Sequence, residues 1–152
     1  MAIIYRNGVE VEVDASEIFR PGQADLLADA KQTARQKMKE LMDEAVAPIR
    51  DRYTATERDT WDRQAAEAAA LIADSNTAAP LIRSIAVGLG KDPMAYAQAV
   101  LAKVDAFVAL GATVVSARQQ ADAAIDAATD QTAINAAVDA ALAQVKQAVG
   151  SL

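Results

Sequence analysis

Apolar and polar residues follow two different rhythms along this chain, and the change between them divides it. Over Ala2 to Val13 the rhythm is that of a strand. Ile3, Ile4 and Tyr5 lead into Asn7 and Gly8, a pair favoured in type I′ turns, and Val9-Glu10-Val11-Glu12-Val13 then alternates apolar with acidic. This predicts a β-hairpin, followed by a connector punctuated by Pro21 and Gly22. From Gln23 the spacing lengthens to three and four. Leu27, Ala30, Ala34, Met38, Leu41 and Ala45 mark a helix to about Ala47, where Pro48 should end or kink it. Thr54 and Glu57 have capping-box spacing and open the next helix, with Trp61, Ala65, Ala68 and Ile72 on one face. Pro80 starts a short helix closed at Gly88 to Gly90, with Gly90 the candidate left-handed residue. Asp92 and Pro93 start a long one reaching about Ala128. Its stripe runs through Tyr96, Val100, Val104, Phe107, Gly111, Val114 and Ile125, widened by Leu101, Val108, Leu110 and Val115. Gly111 and its β-branched neighbours weaken the middle, and a kink is expected there. After a break at Thr129 and Asp130, Ile134, Val138, Leu142, Val145 and Val149 repeat almost as a coiled-coil seam. A helical hairpin at 129–131 is preferred over one continuous rod.

The fold class is therefore mainly α: a small amino-terminal β-hairpin and connector over 1–22, then an alanine-rich bundle of about five helices over 23–152. Composition sharpens this in one respect. Hydrophobic residues make up 53% of the chain but aromatics only 4%, because so much of the total is alanine. Alanine favours helix and buries little area, so the core should be thin, leaving room for a partner or a second copy to add stability. A lone hairpin is marginal in water, so it packs on the helices or adds to another chain, through Ile4, Val9 and Val11 in the second case.

Charge and chemistry mostly exclude. The net charge is −6, and residues 1–75 carry 15 acids and 10 bases against 6 and 5 in residues 76–152. Nucleic acid is not expected as a partner, since phosphate binding needs a basic stripe. The cluster Lys31, Arg35, Lys37 and Lys39 is offset by Asp29, Glu40, Asp43 and Glu44 and reads as solvated surface. The longest uncharged run, Ala106 to Ala117, is too short for a bilayer, so no membrane partner is expected. With no cysteine and no histidine, the commonest metal ligands and the commonest general base are missing. No serine has a nucleophile-elbow context. Gly88-Leu89-Gly90-Lys91 lacks the rest of a phosphate loop and reads as a helix terminator. Glu57, Asp59 and Asp62 are spread around a helix and read as surface. No enzyme, cofactor or metal is expected.

Tyr53, Glu57, Thr60, Trp61, Gln64, Glu67 and Ala68 form a pattern, Tyr-x3-Glu-x2-Thr-Trp-x2-Gln-x2-Glu-Ala, that resembles the tail-fibre assembly, or tail-fibre-associated, proteins of bacteriophages and prophages. Ala79-Pro80-Leu81-Ile82, Ile85-Ala86 and Ala99 to Lys103 extend the likeness, which covers roughly residues 50–128. The resemblance implies protein binding and brings no catalytic residues. It implies a chaperone that binds a fibre or receptor-binding protein and assists its folding or trimerisation, acting in the bacterial host cytoplasm. The alternative is a structural adaptor retained in the virion tail; an unrelated helical binding module is a third reading. Self-association is compatible with all three. Tyr53, Glu57, Thr60, Trp61 and Gln64 are expected as structural anchors. Ile4, Val9 and Val11 on the hairpin, with Ile134, Val138, Leu142 and Val145 on the last helix, are the expected partner contacts.

Overall fold

The structure, a computed structural model, describes residues 2–6, 9–13 and 22–152. Two strands, β1 (Ala2–Arg6) and β2 (Val9–Val13), pair antiparallel as backbone, with Ile4 opposite Val11. The expected turn at Asn7 and Gly8, and the side chains of Ile4, Val9 and Val11, lie outside what is described.

Among the described residues six helices follow: α1 (Gln23–Arg50), α2 (Ala55–Asp59), α3 (Trp61–Ala73), α4 (Pro80–Gly88), α5 (Pro93–Ala127) and α6 (Gln131–Gly150). Local signals explain most of their ends. Thr54 and Glu57 exchange both capping-box bonds, at 3.2 Å and 2.7 Å. Asp92 caps α5 by accepting from the Ala95 amide at 2.9 Å, and Asp130 caps α6 by accepting from Ala133 at 2.8 Å. Gly90 has φ +65, as the left-handed position after α4 requires. One local boundary needs correction. The helix α1 runs through Pro48 to Arg50, because a proline in the last turn forfeits a single bond and Ile49 there is buried. The helix α5 is unbroken through Gly111 and is about 52 Å long at 1.5 Å per residue.

That long helix is the shared wall of two small bundles. Its second half packs with α1 and α6, where Met38 and Met42 meet Ala117, Ala121, Ala141, Leu142 and Val145. Ile125 and Ala128 meet Ile134 at the turn, with Leu27, Ala30 and Ala34 beside them. These pairings run α6 antiparallel to α5, so the helical hairpin forms. Its first half packs with α3 and α4, through Ala68 and Leu71, Ala79 and Ile82, and Ala97 and Val100.

The last-helix stripe was expected to face a partner, and the structure corrects this. Ile134 and Val145 are fully buried, Leu142 is buried and Val138 is packed against the same cores. A seam of period 3.5 serves a neighbour in the same chain as well as one in another, and here α1 and α5 cover it.

Charges from neighbouring helices complete two helix ends. The last turn of α5 has no basic residue of its own; Lys31 Nζ donates to the Asp126 carbonyl at 2.8 Å and Arg35 pairs with Asp122 and Asp126. Half of the basic cluster on α1 is thus engaged within the chain. At α4, the preceding Ala79 offers no cap and holds a left-handed φ of 38. Glu67 on α3 supplies the acceptor, at 2.7 Å to the Leu81 amide and 3.1 Å to Ile82.

Candidate functional site

The break between α2 and α3 builds the most distinctive surface of the molecule. Thr60 ends one helix and opens the next, with its hydroxyl donating to the Glu57 carbonyl at 2.8 Å. The Gln64 amide donates to that hydroxyl at 2.7 Å, and Tyr96 on α5 reaches the Gln64 carbonyl oxygen at 3.5 Å. Arg58 turns back to the Tyr53 carbonyl at 2.7 Å, tying this corner to the end of α1. The join fixes the direction in which Trp61 leaves the backbone.

Trp61 leaves it toward α5. Its ring stacks on Phe107 with centroids 5.1 Å apart, and Tyr53 meets it edge-on, also at 5.1 Å. Such pairs contribute about 0.5–1.5 kcal/mol each beyond the area they bury. Lys103 Nζ lies 5.8 Å from the Tyr53 ring centre. The trio is only half-buried. It lines an open groove of about 600 Å³ together with Val100, Val104 and Val108 of α5 and Leu81 and Ile85 of α4. All five residues expected as anchors, Tyr53, Glu57, Thr60, Trp61 and Gln64, line it. The four expected on α6 do not, and the three on the hairpin lie outside the described side chains.

Two details of the tryptophan helix depart from its periodicity. Leu71, not Ile72, enters the core, and Ile72 is 40% exposed. Trp61 is not the centre of the core but its open edge. Lys103, Phe107 and Val108 belong to the groove, yet the sequence pointed to Phe107 and Val108 only as members of a helix stripe and to Lys103 only as the end of the Ala99 to Lys103 likeness. The stripe on α5 changes face: Ala97 and Val100 point to α3 and α4, whereas Leu110, Ala117 and Ala121 point roughly 100° further round. Val108 and Val115 continue the first face beyond the helices that cover it, and are 66% and 51% exposed.

Two ionisable groups of the groove are shifted by their surroundings. The Thr54 amide, and then its hydroxyl, hold the Glu57 carboxyl below the ordinary carboxylate value, so it stays charged at neutral pH. Burial, and then the Glu57 charge, push the Tyr96 phenol up, so it stays neutral. Behind the groove, burial alone would raise Glu67, but Arg63 and the Ile82 and Leu81 amides outweigh it and lower its pKa. Among the described residues no three side chains are placed to hold a metal ion. The groove is mostly apolar and aromatic, with Glu57, Asp62 and Lys103 as its charged lining residues and Lys103 near enough to Glu57 to favour its charge. No protein family, curated protein or solved structure matches this chain.

Proposed function

We propose that this chain is a phage tail-fibre assembly chaperone, which holds an apolar segment of an unassembled fibre or receptor-binding protein until that protein trimerises. One observation carries the reading. Five of the seven motif residues through which the sequence resembles tail-fibre assembly proteins, Tyr53, Glu57, Thr60, Trp61 and Gln64, converge on one open groove, while Ala68 is in the core and Glu67 caps α4. An exposed aromatic patch of this kind marks a protein-binding surface more readily than a structural one. The partner contact accordingly moves from α6 to the groove. The amino-terminal hairpin, through Ile4, Val9 and Val11, adds a second contact by strand addition to the partner.

Holding a fibre segment in the groove would shield apolar surface that otherwise aggregates before the trimer forms. The experiment is co-expression with a phage fibre or receptor-binding protein, starting from the product of the adjacent gene. A several-fold gain in soluble fibre and a complex on size exclusion are expected, both lost with Trp61→Ala. No gain and no complex would remove the proposal. Mass spectrometry of purified particles separates a chaperone, absent from them, from an adaptor retained in fixed stoichiometry.

A further inference from the structure

The construction of the groove restricts what can lie in it, and this inference rests on reading the groove as a partner-binding surface. Its lining comes mostly from α2, α3, α4 and α5, and beyond the first turn of each helix the backbone groups are used within the helix. At the non-helical corner, the Tyr53 carbonyl is taken by Arg58 and the Thr54 amide by Glu57. An extended peptide laid there would find no ladder partner, and its own amides would be desolvated without compensation. A helix arrives with its backbone bonds made and needs only an apolar stripe.

Dimensions and charge point the same way. From Tyr96 to Val108 the α5 side of the groove extends about 18 Å, and the exposed strip through Val115 lengthens it to about 28 Å, three to five turns of helix. Val108 and Val115 are 66% and 51% exposed, so among the described residues nothing covers the strip. Among the groove's lining residues Glu57 and Asp62 are acidic and Lys103 is the single base; Lys103 acts on Glu57, which leaves Asp62 and a net negative charge for a partner. We propose that the groove receives an amphipathic α-helix of a partner protein, its apolar stripe over Trp61, Phe107 and Val108 and its basic flank facing Glu57 and Asp62.

Trp61 is the only tryptophan and lines the groove, so its emission reports occupancy directly. The probes are three synthetic peptides of about 18 residues, enough for five turns. One carries a leucine stripe with lysines along one flank, one has glutamates in place of the lysines, and one is the lysine peptide broken by a central pair of prolines. The lysine peptide should shift Trp61 emission to the blue and saturate; the glutamate peptide should bind at least about tenfold more weakly, and the broken peptide should not bind. Val108→Glu should leave the circular dichroism and melting temperature unchanged, since Val108 is 66% exposed, and weaken the lysine peptide about tenfold. Equal binding of intact and broken peptides, indifference to Val108→Glu, or a shift produced instead by neutral lipid vesicles would overturn the proposal. Peptide discrimination without any fibre complex would leave this inference standing and remove the chaperone reading. A fibre complex without peptide discrimination would do the reverse.

Discussion

The two bundles share one helix and use it in opposite ways. Around the second half of α5, the core is aliphatic and alanine-lined, closed on all sides by α1 and α6, with Ile125, Ile134 and Val145 fully buried. Around the first half, α3 and α4 are short, the aromatic residues sit at the edge, and Trp61 remains half-open. Alanine permits close helix packing, and that closes the first region with aliphatic side chains and methionines and without aromatic rings. The second region concentrates large rings where the covering helices stop. Its apolar surface is available for binding because the shorter helices cannot cover it.

The largest test of this contrast is truncation on each side. Ile134→Ala should cost about 2–5 kcal/mol, because a fully enclosed side chain leaves a cavity that the neighbours cannot fill. Val108→Ala, on the same scale, should stay within about 0.5 kcal/mol, as for an exposed surface change. Denaturant melts of the two variants check the pair; similar losses would mean that the strip around Val108 is covered after all.

A smaller effect separates the bundles by pH. Glu57 and Glu67 both belong to the tryptophan side, and both have folded pKa values below the ordinary carboxylate range. Their stabilisation is therefore complete above that range and lost as pH falls through the lowered values, below about pH 4. Trp61 emission should report loosening there before the total helix content falls. Glu67→Gln should flatten the acid dependence, and Glu67→Ala should cost about 1–3 kcal/mol at neutral pH by leaving the Leu81 and Ile82 amides without an acceptor. Simultaneous loss of both signals in acid would show that the halves unfold as one.

What could be read from the residues alone follows the reach of each interaction. The Thr54–Glu57 box, the Asp92 and Asp130 caps, Gly90 and the turn before α6 are decided within four residues, and the sequence displays them. The cap that Glu67 provides spans 14 residues and has no local signature, since Ala79 looks like a missing cap until α3 is placed beside it. The groove was half legible. The spacing of Tyr53, Glu57, Thr60, Trp61 and Gln64 marked its residues, but a Trp-bearing helical face reads as core until its cover is known to be short. On α5, periodicity gave a stripe without saying that its face turns, and on α6 a seam without saying whose chain fills it.

The smallest predicted effect concerns Gly111, at the waist between the bundles. A glycine within a helix costs about 0.5–1 kcal/mol relative to alanine, and a Cβ built there meets nothing within 4 Å. Gly111→Ala should therefore stabilise the isolated chain by roughly that amount, seen as a rise in melting temperature with unchanged spectra. The same variant asks where the groove ends. If a bound helix follows the strip from Val108 to Val115, it passes beside Gly111, and the added methyl should weaken the lysine-flanked peptide while stabilising the protein. If the helix stops at Val108, stability should rise and binding should not change. The two measurements on one substitution locate the boundary between the closed region and the open one.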